Sequence, residues 1–480
     1  MKSAISPLPY SNDMTVAPDH IASLVHQEFD KLPAKRKPVV RDNGLHEWVP
    51  LSGIVAEGNN GKLTYLSLAT GMKCLPASKL SQAQGNVLHD WHAETLAIRA
   101  FNRFVLDECL ALANGSKSSS EFLRWRDRDE MGTTTPPHDG DGADGVHWHG
   151  QPFTWREDVL LHMYCSEAPL ASQSDATPWD LPIPEPQDTP ASPASPAAPE
   201  TILPGRAYFS KLGIIRRKPA RPDAPPTLSK SCSDKLALHQ VKSLLLSVTS
   251  LLVSPEYAYI HTLVIPGAQY SEVGCRRAFS AEFGDEGKEG EGMADGKGEG
   301  RMVELAGRKW EGGYGFRPFA VKTTGLEFRF SRRRTAETPV QDSALPSPSS
   351  SPPRPATTKK ITPSPISTAQ TPTQIETTQN GILRGQKSTV PSNPRGASFA
   401  SRRQIWMAAL GVLTSLDDGS EDDGVAEVAE IKRVLGSSIY GEIKDAELLA
   451  PRRRVKEEVR ELALKGWVRN LGDEDFRLGS

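Results

Sequence analysis

Apolar residues first recur at helical spacing at Ile21, Leu24, Val25 and Phe29, one face of a helix that Asp19 can cap and Pro33 ends. Residues 47–56 and 63–69 then alternate as two strands, joined by Gly58-Asn-Asn-Gly61, a turn that suits a hairpin. A long helix follows over residues 93–113, with Phe101, Val105 and Leu112 facing inward. Further on, the pattern predicts strands at 158–165, 207–216 and 257–265 and an apolar helix at 236–252. Three more helices are expected at 401–415, 425–435 and 452–465. Strands and helices mix without a strict repeat, which predicts an α/β core of a mixed sheet flanked by helices, with an extended C-terminal helical part.

Composition changes that picture by removing parts of the chain from it. Of 480 residues only 37 % are apolar, and the 39 prolines gather in blocks that cannot bury a core. Disordered inserts are expected at about 127–150 (Asp/Gly/Pro), 172–203 (Pro/Ala/Ser), 284–300 (Gly/Glu) and 335–379 (Ser/Thr/Pro). Neither side of any insert carries a self-sufficient core, so residues 15–478 read as one domain decorated by loops.

Charge and cysteine usage narrow the class further. The formal charge of -2 averages acidic Gly-rich stretches against basic clusters and says little about partners by itself. Five scattered cysteines, an odd number without a short repeat, do not form a disulfide framework and fit a reducing compartment. With no apolar leader and no run near the ~18 residues that cross a bilayer, a cytoplasmic or nuclear protein is expected.

The candidate chemistry lies at His92-Ala-Glu94, at the mouth of the predicted helix 93–113. A metal-binding imidazole and a proton-carrying carboxylate two residues apart suit hydrolytic deamination of a base. Spacing alone is weak evidence, because His26-Gln-Glu28 repeats it within an ordinary surface helix. Cys232, just before the apolar helix, offers a thiolate from a turn position.

Seven segments carry a resemblance: Leu68-Ala-Thr-Gly-Met-Lys-Cys74, Leu88-His-Asp-Trp-His-Ala-Glu94, Ser166-Glu-Ala-Pro169, Arg216-Arg-Lys-Pro-Ala-Arg221, Ser231-Cys-Ser-Asp-Lys235, Val321-Lys-Thr-Thr324 and Gly466-Trp-Val-Arg469. In order and approximate spacing the chain resembles the tRNA-specific adenosine deaminases, in the adenosine-to-inosine editing family. The resemblance implies a cytidine-deaminase-like fold and zinc-dependent conversion of adenosine to inosine in tRNA. It also implies His92 and Cys232 as zinc ligands and Glu94 as general acid/base. A second implied cofactor is buried inositol hexakisphosphate, with Arg99, Lys235, Tyr440, Lys444, Arg454, Trp467 and Asp475 at the matching positions. A buried polyphosphate requires many cations, which Lys and Arg from distant segments can supply. Arg216, Arg217, Lys218 and Arg221, with Arg402 and Arg403, are candidates to grip tRNA phosphates, contacts that position RNA without reading its sequence. The expected partner is tRNA, with no membrane, no DNA and no obligate protein partner.

The resemblance fails at one zinc ligand. After Pro of the Ser166-Glu-Ala-Pro169 motif the family has Cys-Gly-Asp-Ala-Ser, whereas this chain continues Leu170-Ala-Ser-Gln-Ser-Asp, and an aliphatic side chain cannot bind zinc. Cys165 lies five residues earlier, up to roughly 16 Å away in extended chain, against a Zn–S bond of about 2.3 Å. His147 and His149 form a second alternative, in a Gly/Asp loop. A third is a short internal loss that removed the Cys and its helix, and it accounts best for the direct step from Pro169 to the Asp-Ala-Thr-Pro stretch. The competing functional reading is therefore a catalytically impaired tRNA-binding paralogue, and an inositol-phosphate-dependent scaffold is a third. Smaller departures are His89 in place of the usual Asn, and Ile98 and Leu238 in place of basic residues.

Overall fold

The computed structural model describes residues 16–131, 150–168, 203–204, 215–218, 225–281, 300–337, 359–386, 393–416 and 425–478. An eight-stranded mixed sheet organises them. In chain order its strands are β1 (Leu51–Glu57), β2 (Leu63–Thr70), β3 (Leu160–Cys165), β4 (Ile260–Pro266), β5 (Ala320–Thr324), β6 (Ile366–Gln370), β7 (Ile375–Gln379) and β8 (Ile382–Leu383). Across the sheet they run β5-β4-β3-β1-β2-β6-β7-β8. The β3-β4 and β4-β5 pairs are parallel, and β1 is antiparallel to both β2 and β3.

Alternate side chains send the sheet into two cores. Leu51, Val55, Tyr65 and Leu68 pack under helix α1 (Pro18–Asp30) with its Ile21, Val25 and Phe29. Gly53 permits that packing, since a Cβ there would lie 2.8 Å from both methyls of Val25. Ile54, Ala56, Leu66 and Ala69 face the opposite way, onto helix α2 (Ala93–Ala113), whose Leu96, Ala97, Phe101 and Val105 are buried. In chain order there follow α3 (Cys232–Lys242) and α4 (Glu272–Phe279), a short α5 (Arg332–Glu337), and the C-terminal helices α6 (Arg402–Leu416), α7 (Val425–Leu435), α8 (Tyr440–Asp445) and α9 (Ala450–Leu462). The mixed sheet flanked by helices, and the helical C-terminal part, agree with the sequence pattern.

Four expectations need correction. Asp19 does not cap α1, which starts at Pro18 after Ala17 with no side-chain cap; its carboxylate instead accepts hydrogen bonds from Thr324 Oγ1 and Gly325 N. The apolar helix of 236–252 begins earlier and stops at Lys242. There Ser243 turns to φ +63°, and the buried Arg452 guanidinium takes the carbonyls of Lys242 and Leu245. The tract 335–379 is not wholly without structure, because β6 and β7 fall inside it. Composition misled here: threonine is a good strand former, and Thr368 and Thr378 are buried in the sheet. Finally, residues 127–131 belong to the described chain and include a 3-10 turn at Arg128–Glu130. Most of the inserts, along with residues 207–214, His147, His149, Pro169, Leu170 and Arg221, lie outside the described residues.

Candidate active site and anion cavity

Two helix N-termini and one extended pairing build the site. The segment Gly71–Leu75 runs antiparallel to His89–Ala93: Ala93 N donates to Gly71 O at 2.9 Å, Trp91 N to Lys73 O at 3.0 Å and Leu75 N to His89 O at 2.8 Å. Cys74 and Asp90 face each other in this bridge. Gly71 has φ +143°, and a Cβ there would sit 2.1 Å from Trp91 O, so no side chain fits at the crossing. His92 then holds the N-cap position of α2 in extended conformation, which places Glu94, buried, in the first turn. Opposite, Ser231 caps α3 by accepting from Asp234 N, and Cys232 opens that helix.

Around these positions polar side chains converge. Cys232 Sγ donates to Glu94 Oε2 at 3.2 Å and accepts from the buried Lys218 Nζ at 3.0 Å. Lys218 Nζ also lies 3.5 Å from Asp90 Oδ2. The Asp90 carboxylate accepts from His92 N (2.9 Å), bonds His92 Nδ1 (2.8 Å), and receives Ser229 Oγ and the Lys235 ammonium. Burial opposes the Asp90 charge, yet Lys218, Lys235 and His92 together hold its carboxyl well below the usual range. On the far wall Gln269 accepts from Ala168 N and donates to Ser166 O, and Arg332 N donates to Glu167 Oε1. Burial pushes the Glu167 carboxyl up to about 7, with Glu94 adding to it against the Arg332 backbone bond.

The sequence-nominated residues thus meet in part. Glu94 and Cys232 are in contact, and His92 joins them through Asp90 and Lys218. Cys74, Asp90 and His92 form a metal-capable group whose ligand atoms all lie within 4.8 Å of one another. Neither Asp90 nor Cys74 was singled out by spacing. The signal available was local, since both sit inside the quoted motifs. Cys165 is wholly buried at the end of β3. Lys218, nominated as a grip on phosphate, is buried and turned towards Cys232 and Asp90. Arg403 is also buried, donating to Leu478 O, and Arg402 turns to Asp473. Arg217 is half-buried, and only the backbone of Arg216 is described, paired in a two-residue strand.

Beside this centre lies a cavity of about 520 Å³. Among the described residues nine of its lining side chains are Lys or Arg and five are Asp or Glu. Arg99 arrives from α2, Lys230 from the segment just before α3, Lys235 from the first turn of α3, Arg402 from α6 and Lys444 from α8. Trp467 and Asp475 also line it. Tyr440 does not; it stacks on Phe476 behind the wall, with Arg402 and Lys444 over its ring. Arg454 does not line it either; it is exposed and paired with Glu311. Helical spacing explains this: Arg453, Lys456 and Arg460 (i, i+3, i+7) share the inward face of α9, and residue 454 is rotated off it. Ile98 and Leu238 are buried in the apolar core, and His89 is bonded to Asp473 at 2.7 Å. Crowded cations weaken one another. Burial, then Arg452 and Arg460, hold the Lys456 ammonium well below its usual value, and burial with Lys235 and Arg460 lowers Lys230 to about 7.

Comparison with known proteins decides the family. The pattern of the adenosine-deaminase (editase) domain matches residues 67–136, the stretch that carries Cys74, Asp90, His92 and Glu94. The chain is 35 % identical over 325 residues to tRNA-specific adenosine deaminase 1 of Schizosaccharomyces pombe, covering 65 % of this chain and 69 % of that protein. This chain belongs to the tRNA-specific adenosine deaminase family. The protein of the same description in Saccharomyces cerevisiae is 31 % identical over 260 residues, 52 % of this chain and 59 % of its own length. The Mus musculus protein aligns over 95 % of this chain and 98 % of its own length at 24 % identity. His92 and Glu94 lie within the matched stretch, whereas His26, with the same spacing to Glu28, lies outside it and bonds Tyr164 OH at 2.8 Å in the α1 core.

Proposed function

We propose that the protein converts adenosine to inosine in tRNA: water adds at C6 of a flipped-out adenine and ammonia leaves. The observation that carries this is the juxtaposition of Glu94, buried in the first turn of α2, with Cys232 at the first turn of α3, 3.2 Å apart. Zinc, when bound, supplies a Lewis acid that brings the pKa of water towards neutrality. His92 and Cys232 would hold it, and the donor chemistry around them, an imidazole and thiols beside buried carboxylates, fits such an ion. Glu94 takes the proton of the attacking water and delivers it to the leaving amine. Asp90 fixes the His92 ring through Nδ1 and the backbone amide together.

The cavity fits inositol hexakisphosphate as the second cofactor. Nine cations against five acids, several of them buried, leave positive charge that a polyphosphate would neutralise. Lys230, Lys235, Lys444 and Lys456 would hold it as point charges and Arg99, Arg453 and Arg460 as forks.

The test is inosine formation in tRNA, read by mass spectrometry of nucleosides after incubation with purified, metal-replete protein. Inosine is expected, and Glu94→Gln is expected to lower its rate by about 10² to 10⁴-fold. Zinc-replete protein that forms none in any tRNA overturns the reading. Leu170, aliphatic where the family has Cys, favours a second reading as an impaired tRNA-binding paralogue. That reading requires folded protein that binds tRNA without metal or inosine.

A further inference from the structure

A protein that acts on tRNA needs an outward basic face, because phosphate contacts supply most of the affinity for RNA. Three of the side chains nominated for that grip, Lys218, Arg402 and Arg403, turn to partners within the protein. We propose that tRNA lies instead on the face built by Arg329, Phe330, Arg332 and Trp48, an assignment that rests on the tRNA reading above.

Residues 329–334 read Arg-Phe-Ser-Arg-Arg-Arg, and all four of these arginines are exposed. Aromatic rings lie beneath them. Arg332 Cζ is 5.8 Å from the centroid of the Trp48 ring, and Arg329 Cζ is 4.9 Å from that of Phe330. Alongside, Lys37 Nζ is 5.7 Å from the ring of Phe29, which meets Phe330 edge-on at 5.8 Å. Val49 N donates to Phe330 O at 2.9 Å, so the segments that carry Trp48 and Phe330 are fixed side by side. Three cation-over-ring pairs thus adjoin one another.

A run of surface charge is ordinarily only a solvated face, and two features separate this one. Trp48 and Phe330 are half-buried, anchored yet open to a splayed base, and aromatic planes with guanidinium groups beside them are what single-stranded RNA stacks on. The face is also tied to the reaction centre. Arg332 N donates to Glu167 Oε1 at 2.9 Å, and Gln269 grips both neighbours of Glu167, through Ala168 N at 2.7 Å and Ser166 O at 3.0 Å, in the wall of that centre. RNA held on Arg332 is therefore held beside the place where the base must enter.

The acids on this face are weak competitors. Asp30 meets Arg329 at 2.8 Å with both side chains more than half exposed, and such pairs contribute little, so a phosphate can take the place of the carboxylate at small cost. Glu327 and Glu337 are engaged by Arg333. None of Trp48, Arg329, Phe330 and Arg332 lines the anion cavity, so polyphosphate and RNA have separate sites.

Full-length protein titrated into fluorescein-labelled, unfractionated tRNA, with anisotropy read across about 50–200 mM salt, tests this. Wild type is expected to bind with an affinity that falls steeply with salt. Arg329→Gln and Arg332→Gln should each reduce the slope of log affinity against log salt by about 0.7–0.9, and Arg332→Lys should keep it. Trp48→Ala should weaken binding by about 5- to 150-fold with the slope unchanged, and Trp48→Phe, which keeps a ring, should restore most of the loss. Unaltered thermal unfolding of the arginine variants separates a lost contact from a lost fold. Arginine variants that keep the wild-type affinity and slope overturn this face and leave the tRNA reading standing. A loss in Trp48→Ala that Trp48→Phe does not recover overturns the stacking. Wild type that binds no tRNA overturns both the face and the reading.

Discussion

At the scale of single residues the site is governed by one carboxylate. Asp90 is buried and balances two ammonium groups, Lys218 and Lys235, while holding the ring and amide of His92. Removing its charge while keeping its shape leaves two cations in low dielectric without their partner. Asp90→Asn is expected to destabilise the fold by about 3–5 kcal/mol, the usual cost of breaking a buried pair from one side, measured by urea unfolding. A drop below about 1 kcal/mol would mean that solvent already reaches these charges. The sequence could nominate His92, Glu94 and Cys232 because deamination needs a metal ligand and a proton carrier at close spacing. It could not nominate Asp90, since an Asp two residues before a His is common, and only folding brings Lys218 and Ser229 to it from more than a hundred residues away.

Elements were legible where their pattern was local. Helix α2 begins and ends where its apolar period does, Ala93–Ala113. The apolar run after Cys232 was not, because its Leu and Val spacing continues past Lys242 while tertiary contacts stop the helix: Ser243 leaves αR, and Arg452 from α9 takes the free carbonyls. In the same way β6 and β7 hid in a Ser/Thr/Pro tract whose threonines only become strand residues when β6 pairs with β2 and β7 with β6. At this scale the decisive contact is the crossing of Gly71–Leu75 over His89–Ala93. Gly71→Ala introduces a Cβ 2.1 Å from Trp91 O at φ +143°, so the two segments must part. The expected result is a loss of about 1–3 kcal/mol, together with weaker metal binding, since His92 is carried on one side of that crossing. Thermal unfolding and cobalt titration measured on the same variant check it: unchanged metal affinity at lowered stability would show that the donor group does not depend on the pairing.

Over the whole molecule, the cavity is the place where distant segments need one another. Lys230, Arg402, Lys444 and the α9 pair Lys456 and Arg460 come from separate parts of the chain, and Arg460 disfavours the charge of both Lys230 and Lys456. A bound polyphosphate would turn that repulsion into cross-linking, so inositol hexakisphosphate should raise the midpoint of thermal unfolding, with stabilisation growing as the logarithm of ligand concentration. Lys456→Ala, which removes one cation, should bind it more weakly while losing little stability in its absence. The pH dependence follows from Lys230, faced by Lys235, Arg460, Arg217 and Asp234 and lying 5.3 Å from the Trp467 ring. Its value falls from 10.5 in the unfolded chain to about 7 in the fold. Between those values the unfolded state holds a proton that the native state lacks, so the Lys230 contribution makes ligand-free protein more stable as pH rises from about 7 towards 10.5; below 7 its cost is full and constant. An anion that restores the ammonium reverses the sign. Polyphosphate affinity should be highest below pH 7 and decline above it, and Lys230→Met should flatten both profiles. Calorimetric titration at pH 6, 7.5 and 9 measures this directly, and an affinity that Lys230→Met leaves with the same pH slope would place the titrating group elsewhere in the cavity.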